Sequence, residues 1–216
     1  MKEKLRGLYV IIDPEVAQGR EELAVAREAI QGGARLIQLR DKRREKGLQL
    51  PVAGALAGLC REAGVPFIVN DHVDLALAAG ADGVHVGQKD LPVAAVRKLV
   101  SPGFIVGCST NNAEEALRAE RDGADYVSVG RLYPTGSKGD TRPATTETVR
   151  AVKAAVSLPV CAIGGIDESI IDEVLAAGAE MAAVIAAVIA AAGPSAGSGQ
   201  AVREAARRLA ARFARR

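Results

Sequence analysis

Cations and carboxylates recur along the chain directly after apolar segments. Arg40, Lys42 and Lys138 are suited to neutralising a diphosphate, because cationic side chains bind phosphate oxygens strongly. Asp71 and Asp90 offer the one or two hard oxygen ligands that Mg²⁺ typically takes from a protein beside substrate phosphate. The sequence contains no Ser/His/Asp or Cys/His arrangement suited to acyl transfer. These residue types predict phosphate chemistry assisted by Mg²⁺.

A repeated sequence pattern, called the glycine phrase below, indicates the helices and strands that must position these side chains. Glycine, one or two small residues and an apolar segment follow one another four times, starting at Gly32, Gly80, Gly123 and Gly178. Each glycine suits the C-terminal cap of a helix, where φ is often positive. Four more apolar segments, at residues 8–12, 65–69, 103–106 and 158–163, complete a set of eight predicted strands.

Helical segments separate these strands, with apolar residues three or four positions apart, as at Leu23, Ala26 and Ile30. Strands that alternate with helices imply parallel pairing through right-handed crossovers. Eight such units in about 200 residues predict an α/β fold, a single (β/α)8 TIM barrel over residues 1–216. A doubly wound open sheet is the alternative, which the lack of a GxGxxG motif after the first strand disfavours.

Residues 201–216 predict a final helix outside the barrel. Val202, Ala206, Leu209 and Phe213 share one face of this helix, and its arginines lie mostly on the other. We interpret the arginine face as a solvated outer surface.

The C-terminal rim of a (β/α)8 barrel carries the active site, and the polar residues of this chain fall there. Gly164 and Gly165 follow the seventh strand, and Ile185 and Ala186 follow the eighth. These are positions at which such barrels frequently bind a phosphate through backbone N–H groups. The sequence therefore predicts sites for two anions, a diphosphate with a metal ion on one side and a monophosphate on the other.

Each rim residue also has a plainer interpretation. Asp71 and Asp90 suit the N-terminal caps of the helices that follow them, and Ser109 suits a turn before a helix capped by Asn112. His85 is flanked by valines within a strand, which favours a structural role. Arg40 and Lys42 are followed by further cations and are compatible with one solvated run. The concurrence of all these groups on one rim favours the functional interpretation.

Composition limits the classes of partner and compartment. The 216 residues are 49% hydrophobic and 25% charged, with a formal net charge of +2, which argues against nucleic acid as the main partner. Cys60, Cys108 and Cys161 are far apart and odd in number, so we expect neither disulfides nor a zinc site, and a reducing cytoplasm fits best. The apolar run at residues 181–192 is shorter than a membrane span, and we expect no signal segment. The sequence is compatible with a homo-oligomer and leaves the oligomeric state open.

Five segments, read in order, resemble the signature segments of thiamine-phosphate synthases. They are QLRDK at 38–42, VND at 69–71, GVHVGQKD at 83–90, PTGSK at 134–138 and IGGI at 163–166. The resemblance covers nearly the whole chain. It implies a Mg²⁺-dependent transferase that joins hydroxymethylpyrimidine diphosphate to a thiazole phosphate, or its carboxylated form, and releases pyrophosphate.

The resemblance also implies roles for individual residues. The pyrimidine diphosphate would bind Gln38, Leu39, Arg40, Asp41, Lys42, Asn70, Ser109 and Lys138, among which Arg40, Lys42, Ser109 and Lys138 would act in catalysis. Asp71 and Asp90 would hold Mg²⁺. The thiazole phosphate would bind Thr135, Ser137, Gly165, Ile185 and Ala186, with Gly136 in the same loop. This chemistry needs charge neutralisation and positioning more than a general base.

Four positions depart from the family pattern. Ile12, Arg131, Met181 and Ala186 stand where the family usually has threonine, proline, glycine and serine, and the last of these belongs to the phosphate site. Two other functions compete. A thiazole tautomerase would not need the paired aspartates or the QLRDK segment, which disfavours it, whereas a non-catalytic sensor of phosphate ligands would bind both substrates without turnover.

Overall fold

Eight parallel strands close into a barrel, in the order in which they occur along the chain. The structure is a computed structural model that describes residues 5–134, 142–191 and 199–214. The strands are β1 (Gly7–Ile12), β2 (Leu36–Leu39), β3 (Phe67–Asn70), β4 (Gly83–Val86), β5 (Ile105–Thr110), β6 (Tyr126–Val129), β7 (Val160–Ile163) and β8 (Met181–Val184). Pairing of β1 with β8 closes the barrel. The predicted TIM barrel is confirmed, and the open-sheet alternative is wrong.

Helices surround the barrel and bury the outer faces of its strands. They are α1 (Pro14–Ala17), α2 (Glu22–Gln31), α3 (Lys46–Ala63), α4 (Val73–Ala78), α5 (Val93–Arg97), α6 (Ala113–Arg121), α7 (Thr146–Ala155), α8 (Ile171–Ala176), α9 (Ala186–Ile189) and α10 (Gly199–Phe213). Residues of β1, β2, β3, β4, β6 and β8 are all buried. Burial on both faces explains why these strands occur as nearly continuous apolar runs instead of alternating patterns.

The four glycine phrases form the turns at the N-terminal end of the barrel. Gly80, Gly123 and Gly178 directly follow the C-cap residues of their helices and have the expected positive φ. The expectation is wrong for Gly32, which caps α2 with a φ of −78°, and Gly33 adopts the positive φ instead. In three of the phrases the acidic residue before the strand accepts a hydrogen bond from a backbone N–H at the start of the preceding strand. The pairs are Asp82 with Phe67, Asp125 with Val106 and Glu180 with Val160, each at 2.9 Å. The repeated acid therefore fastens adjacent strands to each other.

Strand β5 begins and ends further along the sequence than the predicted segment at residues 103–106, and it is longer. It runs from Ile105 to Thr110, whereas the apolar run ends at Val106 because glycine, cysteine and serine follow. A side chain at Gly107 would collide with the ring of Tyr126. Gly107 therefore gives this ring its space inside the barrel, and the extension of β5 places Ser109 within the strand.

The C-terminal helix α10 packs against α2. Its buried residues are Val202, Ala205, Ala206 and Leu209. The predicted apolar face is confirmed at positions 202, 206 and 209, whereas Phe213 at its end is half-buried. A side chain at Gly32 would collide with the backbone of Arg203 and with Ala206, so this glycine permits the close approach of the two helices. Arg203 forms an ion pair with Glu28 at 2.7 Å. Among the described residues we find no helix with the length and apolar character needed to cross a membrane.

Candidate active site

A cavity of about 910 Å³ opens at the C-terminal ends of the strands. Most of the described residues that were predicted to act on substrate or metal line it. They are Arg40, Lys42, Asn70, Asp71, Asp90, Ser109, Gly165, Ile185 and Ala186. The tertiary structure thus brings together residues from the C-terminal ends of six different strands, or from the loops that follow them.

Three of the predicted binding residues are buried away from the cavity lining. Gln38 and Leu39 belong to β2, and Asp41 follows it. The carboxylate of Asp41 accepts hydrogen bonds from the backbone N–H groups of Arg43 and Arg44, at 2.9 and 3.0 Å. Burial favours the neutral acid, but these hydrogen bonds and the Arg44 guanidinium hold the pKa of Asp41 below its usual value. Asp41 therefore shapes the loop after β2. The remaining predicted residues, Thr135, Gly136, Ser137 and Lys138, lie outside the described residues.

Arg40 is held at the cavity by a carboxylate that the sequence analysis did not single out. Its Nη1 donates to Asp13, and both side chains are almost fully buried. Asp13 directly follows β1 and caps α1 by accepting a hydrogen bond from the backbone N–H of Glu15 at 3.0 Å. Its position at the end of a strand was the available signal. The interpretation of Arg40 as part of a solvated run is wrong, because Arg40 is only 8% exposed.

The cations after Arg40 separate into one that faces the cavity and others that do not line it. Lys42 lines the cavity and forms an ion pair with Asp71. Arg43 pairs with Glu15, and Lys46 pairs with Asp74 on the surface. The amide of Gln49, which is buried, donates to the carbonyl of Arg44 at 2.6 Å. The loop is therefore anchored to α3, and Lys42 is its cation at the cavity.

Asp71 and Asp90 have other tasks than the helix caps that formed the plainer interpretation. The N-cap residues of α4 and α5 are His72 and Pro92. Asp71 adopts a positive φ of 62°, and its backbone N–H donates to the carbonyl of His85 at 2.7 Å. Asp90 accepts a hydrogen bond from the backbone N–H of Gly87 at 2.7 Å. The capping interpretation is therefore wrong for both residues.

The two carboxylates lie close enough to influence each other. Burial, followed by the negative charge of Asp71, raises the pKa of Asp90 above its usual value, against the opposing effect of its hydrogen bond from Gly87. Such a pair is suited to a cation. Within the described residues no cluster of three or more His, Cys, Asp or Glu side chains is arranged to hold a metal, but Mg²⁺ needs only one or two protein carboxylates when substrate phosphates and water complete its shell.

Gly164 and Gly165 follow β7, which lies across the closed barrel from β3 and β4, the strands that precede the two carboxylates. Gly164 and Gly165 have φ values of 105° and 65°. A side chain at Gly164 would collide with the backbone of Arg131, and one at Gly165 would collide with Pro134. Both glycines are therefore required for the loop after β7 to pack on the loop after β6. This packing leaves backbone, not side chains, at the cavity surface beside Ile185 and Ala186.

Several cavity residues were missed or assigned to other roles. His85, predicted to be structural, lines the cavity and contacts Ser109 Oγ through Nε2 at 2.9 Å. Asn111 and Arg142 also line the cavity, and both donate to the carboxylate of Glu115 at 2.8 Å. Asn111 directly follows β5, which was the available signal, whereas Arg142 is distant from any strand end. Asn112 caps α6 as expected, by accepting from the backbone N–H of Glu115 at 2.9 Å.

Comparison with known proteins identifies the family. A family model described as thiamine monophosphate synthase matches residues 8–188. A thiamine-phosphate synthase from Shouchella clausii is 52% identical over 178 residues, which cover 82% of this chain and 85% of the relative. The chain belongs to the thiamine monophosphate synthase family. A second thiamine-phosphate synthase, from Methanospirillum hungatei, is 47% identical over 179 residues, which cover 82% of this chain and 87% of the relative.

Solved structures agree with membership of the thiamine monophosphate synthase family. Thiamine phosphate pyrophosphorylase from Pyrococcus furiosus has a TM-score of 0.86 and 37% identity, covering 99% of this chain and 98% of that one. Thiamine phosphate pyrophosphorylase from Bacteroides thetaiotaomicron has a TM-score of 0.68 at 18% identity, covering 97% and 98%, and shows the fold alone. The barrel and its connections are therefore shared across nearly the full length of these proteins.

The four departures from the thiamine monophosphate synthase pattern lie in two kinds of environment. Ile12 and Met181 are fully buried, at the end of β1 and at the start of β8. Arg131 and Ala186 line the cavity. Two departures therefore lie in the core, and two lie on the surface of the cavity.

Proposed function

We propose that this chain is a Mg²⁺-dependent thiamine-phosphate synthase, which joins hydroxymethylpyrimidine diphosphate to a thiazole phosphate and releases pyrophosphate. One observation carries the proposal. Two cations from the loop after β2, one carboxylate after each of β3 and β4, and the glycine backbone after β7 line a single cavity. Membership of the thiamine monophosphate synthase family supports it.

The diphosphate would bind on the side of the cavity that carries Arg40 and Lys42. The reaction breaks the bond between the methylene carbon and the diphosphate oxygen, and the electron pair leaves with pyrophosphate. The aminopyrimidine ring stabilises the resulting carbon cation, and the thiazole nitrogen then attacks it. Negative charge on the leaving group grows as the bond breaks, so cations at this position stabilise the transition state more than the bound substrate.

Asp71 and Asp90 would hold Mg²⁺ beside the diphosphate. When bound, the ion would neutralise charge that develops on pyrophosphate. Burial and then the charge of Asp71 raise the pKa of Asp90, and a cation held between the two carboxylates would offset both effects. The ammonium group of Lys42 forms an ion pair with Asp71, so positive charge already lies beside this carboxylate.

The thiazole phosphate would bind at Gly165, Ile185 and Ala186. The conformations of the glycines at 164 and 165 bring backbone to the surface there. Backbone N–H groups are good ligands for phosphate, since they donate without a competing charge of their own. The two substrates would thus enter one cavity with their phosphates at opposite walls.

The rival functions are less consistent with these residues. A thiazole tautomerase has no use for a diphosphate site, yet Arg40 is buried and held in position by Asp13, an arrangement suited to binding an anion. A non-catalytic sensor would bind both substrates and release them unchanged. We further propose that the partners are the two small-molecule substrates. We also propose a cytoplasmic location, which the three free and buried cysteines support.

The decisive experiment mixes the pyrimidine diphosphate and the thiazole phosphate with the purified protein, with and without Mg²⁺. We expect thiamine phosphate and one equivalent of pyrophosphate with Mg²⁺, and loss of product in excess EDTA. Binding of both substrates without product would support the sensor instead. Full activity in EDTA would remove the metal from the proposal while leaving the transferase intact.

A further inference from the structure

A chain of hydrogen bonds crosses the interior of the barrel and ends at the cavity. Gln38 Nε2 contacts the hydroxyl of Tyr9 at 2.5 Å, and this hydroxyl contacts that of Tyr126 at 3.0 Å. The Tyr126 hydroxyl contacts His85 Nδ1 at 2.9 Å, and His85 Nε2 contacts Ser109 Oγ at 2.9 Å. All but the last of these residues are almost fully buried, and Ser109 opens onto the cavity.

The proton count along this chain determines its direction. An amide nitrogen only donates, so the Tyr9 oxygen accepts from Gln38, and we assign its single proton to the contact with Tyr126. Tyr126 then has one proton of its own, which goes to His85 Nδ1. Because Nδ1 accepts, the ring hydrogen of neutral His85 is on Nε2, which donates to Ser109.

Two properties of the tyrosines support this count. Burial raises the pKa of both Tyr9 and Tyr126 well above that of a free tyrosine, so each keeps its single proton at neutral pH. Their rings are also fixed, since Tyr126 stacks on His85 with centroids 5.5 Å apart and meets Tyr9 edge to face at 6.1 Å. A doubly protonated His85 would bring two protons together between Nδ1 and Tyr126, which the geometry disfavours.

We propose that Tyr9, Tyr126 and His85 are positioning residues that make Ser109 a hydrogen-bond donor toward the cavity. Ser109 Oγ accepts from His85, so its own proton is directed at the ligand. Phosphate oxygens at neutral pH are acceptors, and a donor is what a diphosphate requires. The identity of that ligand rests on the proposed function, whereas the direction of these hydrogen bonds rests on the Gln38 donor and on the single proton of each tyrosine.

The first test measures the proton positions directly. The protein has two histidines, so labelling with ¹⁵N-histidine gives two sets of ring signals. The His72→Asn variant retains only the signals of His85 and so identifies them. We expect His85 to be the neutral tautomer with its hydrogen on Nε2. Tyr126→Phe should abolish the preference for the Nε2 tautomer. Tyr133→Phe removes a hydroxyl that does not belong to this chain of hydrogen bonds, and should preserve the preference. A hydrogen on Nδ1, or an imidazolium ring, would overturn the proposal.

The second test separates positioning from general support of the fold. We expect Tyr126→Phe to lower kcat about tenfold through loss of a fixed donor, and to have less than about a twofold effect in a Ser109→Ala background, because coupled residues are not additive. Equal losses in both backgrounds would contradict the proposal. If Tyr126→Phe does not fold, Tyr9→Phe tests the same chain. Failure to form thiamine phosphate would refute only the proposed function, because the tautomer is measured without substrate.

Discussion

Arg40 donates from its guanidinium to the carboxylate of Asp13, and both side chains are buried beside the cavity. The pair joins the end of β1 to the end of β2. We expect Asp13→Asn to keep the cap on α1, since asparagine caps as well as aspartate, but to release Arg40 and lower kcat/KM for the diphosphate about tenfold.

Asp13→Ala, which also leaves the buried guanidinium without a partner, should lower the free energy of unfolding by about 3–5 kcal/mol. Steady-state kinetics and urea denaturation measure both effects, and unchanged kinetics in a folded Asp13→Asn variant would contradict the first.

Asp90→Asn separates metal binding from local structure. Asparagine can still accept the hydrogen bond from the backbone N–H of Gly87, which Asp90 accepts at 2.7 Å, so the thermal stability should change little. Loss of one negative charge should raise the Mg²⁺ concentration needed for half-maximal activity at least about tenfold. The measurement is a Mg²⁺ titration of the initial rate. A destabilised variant with an unchanged titration curve would show that the carboxylate serves the turn and not the metal.

Ala186→Ser tests the monophosphate site. Ala186 lines the cavity at the first residue of α9, where a serine hydroxyl can add a hydrogen bond to a bound phosphate. A hydrogen bond to a charged group is worth about 1.5–3 kcal/mol, so the affinity for the thiazole phosphate should rise about tenfold or more. Calorimetric titration of both proteins with each substrate checks this. Equal affinities for the thiazole phosphate would mean that the position does not face it, and the diphosphate should be unaffected.

Asp125→Ala tests the structural role of the acidic residues that precede β4, β6 and β8 and accept a hydrogen bond from the backbone of the preceding strand. The carboxylate of Asp125 accepts from the backbone N–H of Val106 at 2.9 Å and pairs with Arg97. Removing it leaves a buried N–H and a partly buried guanidinium without that partner, so we expect a loss of about 3 kcal/mol in the free energy of unfolding. Glu147→Ala is a matched control, because it removes an exposed ion pair with Arg150 that is worth less than about 1 kcal/mol. Comparable losses in the two variants would refute the structural role.

The three cysteines should be unreactive in the native protein. Burial raises the pKa of Cys108 to about 11 and the pKa values of Cys60 and Cys161 to about 12. At pH 8 the thiolate fraction of Cys108 is then about one part in a thousand, and it increases only as the pH approaches 11. A chromogenic disulfide reagent should react slowly with folded protein and rapidly with all three thiols in denaturant. Fast reaction of any thiol in the folded protein would contradict this.

The sequence alone predicted the alternation of strand and helix, the closed barrel, and a cavity at its C-terminal rim that is lined by most of the described residues assigned to it. Apolar runs bounded by glycine have few ways to bury both faces, and parallel strands place all their C-terminal ends on one rim. Asp71, Asp90 and Ser109 follow the predicted apolar segments of three strands, which was enough to predict that they line one cavity. Signature segments then distinguished one chemistry from the many that this fold supports.

Only the tertiary structure decided which partner each side chain has. Asp13 and Tyr126 are distant in sequence from the residues that they hold, Arg40 and His85, and each resembles an ordinary residue at the start or end of a strand. No local pattern encodes such pairs, because a hydrogen bond depends on distances across the barrel that follow from strand register and side-chain packing. For the same physical reason the sequence could not show that Asp90 accepts from Gly87 instead of capping α5, or that Arg40 is buried instead of solvated.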